Sequence, residues 1–316
     1  MKRVLTILCF LLLATACAGE GDSFPRARGE LATTPPVTPG ESASPTSSPD
    51  PSAAPTPGPT VTPPPPRFRF LALGDFGAGT PEQHAVAERM CAVRERRPFD
   101  LVVTTGDNVY DEGHPDRFEA AFYDPYRCLL NASVRFRMTL GNHDIRTEGG
   151  RPELNETAFG FDGRNYTFSR GGVRFVMADS NNMDFDWLRA ALNTEPADRW
   201  TVVAFHHPVY ATGEYGPTPG FTPRLPRMFR RKGVDLVLNG HEHQYSATRS
   251  LRGIRYVVTG GGGASIRDCG APAWFTATCI ERFHFLEVVA GPDQIEVKAI
   301  PARGRAIHRF TTLGRD

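Results

Sequence analysis

Five short clusters along the chain combine carboxylate, imidazole, amide and phenol side chains. They are Gly74-Asp75-Phe76-Gly77, Gly106-Asp107-Asn108-Val109-Tyr110, Gly141-Asn142-His143-Asp144, His206-His207-Pro208 and Gly240-His241-Glu242-His243. Asp, His, Asn and Tyr together make an oxygen and nitrogen donor set that suits Fe, Mn or Zn. None of the clusters contains Cys, which excludes a thiolate zinc finger. Taken singly, each residue has an ordinary use: a strand-end Asp often caps a helix, and a lone Tyr is usually packed core. It is the ordered series that points to metal-assisted chemistry.

Such residues, spread over some 170 positions, need a scaffold that gathers them. Each cluster follows a short apolar run: Phe68–Leu73, Leu101–Thr105, Val134–Leu140, Thr201–Phe205 and Val234–Leu238. These runs are four to eight residues long and rich in β-branched and aromatic residues, so they read as buried strands. Helical patterns lie between several of them, at Pro81–Arg97, Asp184–Leu192 and Thr222–Lys232. The alternation implies an α/β sheet, in which ligand sites gather beyond the carboxyl ends of the strands. The later runs Ile254–Thr259, Phe283–Val289 and Gln294–Ile300 lack helical intervals and are expected to be antiparallel.

The series Gly-Asp-x-Gly, Gly-Asp-x-x-Tyr, Gly-Asn-His-Asp, Val-x-x-His and Gly-His-x-His resembles the purple acid phosphatase branch of the calcineurin-like metallophosphoesterases. Here it occupies Gly74–Gly77, Gly106–Tyr110, Gly141–Asp144, Val203–His206 and Gly240–His243, and the likeness spans about residues 67–265. Many relatives have Asp-x-His first and lack the Tyr. This chain has Gly77 and Tyr110 instead, the purple-branch combination. The resemblance implies a four-layer α/β sandwich, two mixed β-sheets flanked by helices. It implies a first metal held by Asp75, Tyr110 and His243, a second held by Asn142, His206 and His241, and Asp107 bridging both. The unshared anionic ligands fall on the first metal, which favours Fe(III) there and divalent Fe, Zn or Mn at the second. With a bridging hydroxide, the tally of formal charges leaves about one positive charge at the centre. That attracts a phosphate dianion without any basic surface. A trivalent ion should lower the pKa of bound water strongly, so an acid-to-neutral optimum is expected.

His143 is the expected catalytic contact to substrate, and Asp144 the residue expected to orient it. Mammalian-type relatives carry another His in the loop after Val-x-x-His. The matching slot here is Tyr215, in Gly213-Glu214-Tyr215-Gly216. His207, His114, Glu214 and Tyr215 are candidates for the mouth of the site. His207 is the weakest as a direct participant, because the neighbour of a strand ligand faces the other way. His84, His284 and His308 lie outside all motifs and read as surface or packing residues. Gly260–Gly263 lacks the Lys-Ser/Thr of a phosphate loop and reads as a turn allowing close backbone approach beside the metals.

Composition supplies the setting. Residues 21–66 contain 14 Pro and 13 Ser or Thr, too little apolar surface to offset chain entropy. Residues 18–66 are therefore expected to be a disordered linker, with a reach of about 150 Å if extended. Residues 1–17 open with Lys2-Arg3 and a short apolar run, which reads as an export signal. Ala14-Thr15-Ala16-Cys17 resembles a bacterial lipobox, and an ordinary secretory signal cut near Ala18 is the alternative. The remaining 67–316 segment is long enough for a catalytic domain with a real core. Net charge is +1, so nothing indicates a nucleic-acid footprint.

Outside the head, four cysteines remain. In an oxidising compartment they imply two disulfides. Sequence proximity favours Cys91–Cys128 and Cys269–Cys279, with four buried thiols as the alternative. The expected function is an exported, surface-tethered phosphomonoesterase, acting on small phosphate esters as a monomer. A phosphodiesterase or nucleotide pyrophosphatase on the same site is the enzymatic alternative. A non-catalytic surface-binding protein on this scaffold is the alternative from another class.

Overall fold

The computed structural model describes residues 67–193 and 198–314. The signal, the lipobox and the linker expected over 1–66 lie outside the described residues. In chain order the strands and longer helices are β1 (Phe68–Leu73), α1 (Pro81–Arg96), β2 (Leu101–Thr104), α2 (Asp124–Asn131), β3 (Arg135–Arg137), α3 (Arg151–Asn155), β4 (Tyr166–Arg170), β5 (Val173–Met177), α4 (Phe185–Ala191), β6 (Trp200–Ala204), α5 (Phe221–Arg231), β7 (Leu236–Asn239), β8 (Tyr245–Thr248), β9 (Arg255–Thr259), β10 (Thr276–Ile280), β11 (His284–Ala290), β12 (Gln294–Pro301) and β13 (His308–Leu313). They form a six-stranded sheet, β13-β12-β11-β1-β2-β3, and a seven-stranded sheet, β10-β8-β9-β7-β6-β5-β4.

Strand alternation explains the layers. In β1, Phe70 and Ala72 face the second sheet and pack with Phe175, Val202 and Leu238. Leu71 and Leu73 face the other way, onto Val86, Met90 and Val93 of α1. The outer face of the second sheet packs Val203 and Val237 against Leu188 of α4 and Leu225 and Phe229 of α5. Both faces of each sheet centre are buried, which is why these strands read as unbroken apolar runs. The result is the expected four-layer sandwich of two mixed sheets flanked by helices, the metallophosphoesterase fold.

Local chemistry fixes the ends of α1. The Thr80 hydroxyl accepts from Gln83 N at 3.1 Å, Pro81 occupies the first turn, and Arg94 and Arg96 lie in the last turn. A disulfide joins Cys91 of α1 to Cys128 of α2, and a second joins Cys269 to Cys279 of β10. These are the two expected pairings.

Two expectations need correction. The strand read over Val134–Leu140 is regular only over Arg135–Arg137, because the chain leaves the sheet early to carry Asn142 to the site. The run read as antiparallel at Ile254–Thr259 contains β9, which is antiparallel to β8 but parallel to β7. The short β8 strand supplies one reversal and the Leu251–Ile254 turn a second, so no helix is needed to restore the direction.

Candidate active site

The parallel strands β1, β2 and β3 in one sheet, and β6 and β7 in the other, end at the same rim. Past these ends the chain delivers Asp75, Asp107, Asn142, His206 and His241, and the turn after β7 adds His243. Asp75, Asp107 and His241 are non-glycine residues at positive φ, 56°, 51° and 70°. Such a conformation costs about 1–3 kcal/mol and persists where packing over-determines it, commonly at functional sites. Close approach also requires glycine. A Cβ on Gly141 would lie 2.1 Å from Asp107 Oδ1, and one on Gly260 would lie 2.8 Å from Asp75 Oδ2. The glycine run after β9 thus serves as the expected close-packing turn.

All seven expected ligand side chains meet here. Asp75, Asp107 and His243 present donor atoms within 4.8 Å of one another. Tyr110 joins them, its hydroxyl donating to Asp107 Oδ2 at 2.9 Å and lying 3.1 Å from His243 Nε2. His206 and His241 belong to a second such group. There, His206 Nε2 is 3.0 Å from Asn142 Oδ1, 3.2 Å from His241 Nδ1 and 3.5 Å from Asp107 Oδ2. Asp107 therefore touches both groups.

The ring orientations are set from outside. His206 Nδ1 lies 2.8 Å from Thr105 O, His243 Nδ1 2.8 Å from Ser265 O, and His143 Nδ1 2.7 Å from Asp111 O. A carbonyl only accepts, so Nδ1–H donates in each case and Nε2 is directed to other work. For His206 and His243 that nitrogen faces the carboxylates, the arrangement that metal-ligating histidines use.

The electrostatics are those of a site made for cations. Asp75 and Asp107 are buried, and among the described residues no Lys or Arg side chain pairs with either. Burial, with Asp107 adding, pushes Asp75 up to about 6 despite its bonds to His243 and His241. Burial and the two carboxylates hold the Tyr110 phenol well above its ordinary range. Burial and neighbouring imidazoles hold His206 well below its usual value and bring His241 down to about 2. For His243 burial opposes protonation, but the hydrogen bond and charge of Asp75 outweigh it and the pKa rises. Buried carboxylates next to imidazoles that resist protonation are stabilised by metal ions in their midst. The donor set fits two hard or borderline ions.

Asp144 does not orient His143. Its Oδ1 accepts from Asn108 N at 2.8 Å and Val109 N at 3.1 Å, and its Oδ2 from Gly141 N at 2.7 Å and Asn108 Nδ2 at 3.0 Å. It braces the loops that carry Asp107 and Asn142, while Asp111 O takes the His143 ring. Buried Glu153 shares Asn108 Nδ2 at 3.1 Å, and burial and Asp144 hold its carboxyl well above its ordinary value. Strand alternation also misplaced His207. Strand β6 ends at Ala204, so His207 is free to turn inward, where its ring lies 4.7 Å from that of His241 and its Nδ1 2.9 Å from Ser180 Oγ. It completes the second donor group with His206 and His241.

A cavity of about 770 Å³ opens over Tyr110, His143 and His243, and His114 lies in its lining. Segment 213–216 carries Glu214 and Tyr215. Glu242 fixes it by accepting from Tyr215 N at 2.8 Å and Gly216 N at 2.7 Å. The Tyr215 ring stacks on His241 with centroids 4.6 Å apart. Two contributors escaped sequence reading. Glu242 sat in plain view between the motif histidines, whereas Arg267, also in the cavity wall, belongs to no motif.

Comparison with known proteins agrees with this geometry. Residues 68–245 match the calcineurin-like phosphoesterase family. Purple acid phosphatase 17 of Arabidopsis thaliana is 24% identical over 286 residues, covering 77% of this chain and 83% of that protein. Among solved structures, purple acid phosphatase PPD1 from yellow lupin superposes with a TM-score of 0.68 at 18% identity, over 78% of this chain and 53% of the lupin chain. GAP50, described as the anchor in the inner membrane complex of Plasmodium, gives 0.68 at 16% identity over 79% and 90%. At these identities the two structures show a shared fold.

Proposed function

The chain belongs to the calcineurin-like phosphoesterase family, the membership of a phosphoric ester hydrolase, and on that premise we propose that it hydrolyses phosphate monoesters at a dinuclear centre. In this reading Fe(III) is held by Asp75, Tyr110 and His243, and divalent Fe, Zn or Mn by Asn142, His206 and His241. Asp107 is shared. The observation that carries the proposal is the position of the Asp107 carboxylate, 2.9 Å from the Tyr110 hydroxyl and 3.5 Å from His206 Nε2. One residue thereby joins an anionic donor group to a neutral one.

When bound, the two ions supply positive charge for the phosphoryl group and lower the pKa of a water that serves as nucleophile. The protein's own residues do the rest. His143 N donates to Asp107 Oδ1 at 3.0 Å, which fixes the bridging carboxylate. The His143 ring, set by Asp111 O, keeps Nε2 at the cavity, where it binds a phosphoryl oxygen and delivers a proton to the leaving oxygen as the ester P–O bond breaks. Tyr215 covers one face of His241 and limits water there.

The setting is part of the proposal. The Lys2-Arg3 head, Cys17 and the Pro/Ser/Thr stretch support an exported protein held to a membrane by a lipid; the acting unit in this reading is the monomer. The two disulfides support an oxidising compartment. Comparing phenyl phosphate with bis(phenyl) phosphate on the metal-loaded chain tests the chemistry. Faster turnover of the monoester is expected. Turnover of the diester alone would contradict it.

A further inference from the structure

The cavity beside the centre is larger than a phosphate requires. Its volume of about 770 Å³ falls in the range of pockets that enclose a whole small-molecule ligand. Beyond Tyr110, His143 and His243, its lining carries two guanidinium groups, Arg117 and Arg267. Arg117 is exposed and its guanidinium donates to Ala78 O at 3.4 Å. Arg267 is built in. Its backbone N donates to His243 O at 3.1 Å and its Nη1 to His241 O at 2.9 Å. Its Nε lies 3.2 Å from Glu214 Oε2, and its Cζ sits 4.8 Å from the centroid of the Tyr215 ring. The side chain is 22% exposed.

These contacts tie one cation to the backbone of both motif histidines. They use Nε and one hydrogen of Nη1; the other Nη1 hydrogen and Nη2 take no part in these contacts. Glu214 is 59% exposed, so water screens that ion pair and leaves most of the guanidinium field available. The lining also contains Asp111 and Glu112, both exposed. They disfavour an anion near the segment that follows Tyr110 and leave the Arg267 side as the place for one.

We propose that Arg267 anchors a second anion subsite, and that preferred substrates are phosphoesters whose leaving group bears a further anionic group, a carboxylate or a second phosphate. This rests on the phosphoester reading above. A guanidinium matches either group with paired, charge-assisted hydrogen bonds. A side chain already fixed on three sides loses little freedom on binding, so more of each bond appears as affinity.

The test compares phenyl phosphate with 4-carboxyphenyl phosphate on the metal-loaded chain, as the ratio of their kcat/KM values. Wild type is expected to favour the carboxylated ester. Arg267→Ala should cut that ratio about tenfold, the size of one charged hydrogen bond. Arg267→Lys should keep part of it, and Glu214→Gln should raise it. A general disturbance of the site slows both esters alike and leaves the ratio unmoved, so the ratio separates recognition from structure. Calorimetric titration with benzylphosphonate and 4-carboxybenzylphosphonate supplies a readout without turnover, and the preference should again fall in Arg267→Ala. Equal ratios in wild type and Arg267→Ala, or no preference in wild type, overturn the subsite and leave the phosphatase reading standing. Failure to turn over either ester overturns both.

Discussion

The Tyr110 hydroxyl donates to Asp107 Oδ2 at 2.9 Å, which places a phenol against the carboxylate that both donor groups share. Burial and the nearby carboxylates keep that phenol protonated, so only a strongly acidic cation draws it into ligation. Tyr110→Phe should keep the fold and lose the visible charge-transfer absorbance of the iron-loaded protein. Absorption spectra and thermal melts check this. A variant that retains the band would remove Tyr110 from the metal.

Asp144 gathers four N–H donors from two site loops. Each orphaned buried donor costs about 1–3 kcal/mol, so Asp144→Ala should destabilise the protein by more than about 3 kcal/mol. Metal retention should fall with it, because the loops bearing Asp107 and Asn142 lose their brace. Burial and the neighbouring Asp144 hold the partner Glu153 well above its usual pKa, which favours its neutral form, and Glu153→Gln should be milder. Denaturant melts and metal analysis of both variants distinguish a brace from a spectator.

His284 ties stability to pH. It is buried, its Nδ1 lies 2.8 Å from Arg282 O and its Nε2 3.1 Å from Thr259 Oγ1. Burial brings its pKa down to about 4 from the usual 6.5. The folded state thus favours the neutral ring, and the unfolded chain binds more protons between these values. The contribution is full above 6.5 and is lost as pH falls toward 4. By pH 4.5 the loss is about 2–3 kcal/mol. His284→Gln should flatten that part of the stability profile. Denaturant titrations at pH 7 and 4.5 give the comparison, and an equally steep profile in the variant would count against it.

The Cys91–Cys128 bridge spans 37 positions. In the chain-entropy account a loop of that length contributes about 4 kcal/mol. Replacing both cysteines with Ala should destabilise the fold by about 1 kcal/mol more than doing the same at Cys269 and Cys279, which are 10 apart. Similar losses from the two pairs would show that loop length does not govern here.

Much of this molecule was legible before its structure. Strands such as Phe68–Leu73 are buried on both faces and so announce themselves as apolar runs. The ligand clusters follow them because parallel strands deliver their carboxyl ends to one rim. Most of what escaped was set by tertiary contact, and one hairpin is the exception. Residues 166–177 form the β4–β5 hairpin, whose Gly171 and Gly172 both adopt positive φ, a turn signal that was present in the sequence. The inward turn of His207 depends on where β6 ends. The partners of Asp144 are backbone amides, which no side-chain pattern reveals. Arg267 becomes visible only when the segment after β9 is laid beside His241 and His243.

In the proposed centre two metal ions are joined through Asp107, one of them iron. Elemental analysis of the active full chain, purified without chelators and followed through Asp107→Asn, tests it most directly. Two ions per wild-type chain are expected, at least one of them iron, with loss of both metal and turnover in the variant. Full phosphatase activity with a single ion, or with no iron, would contradict it.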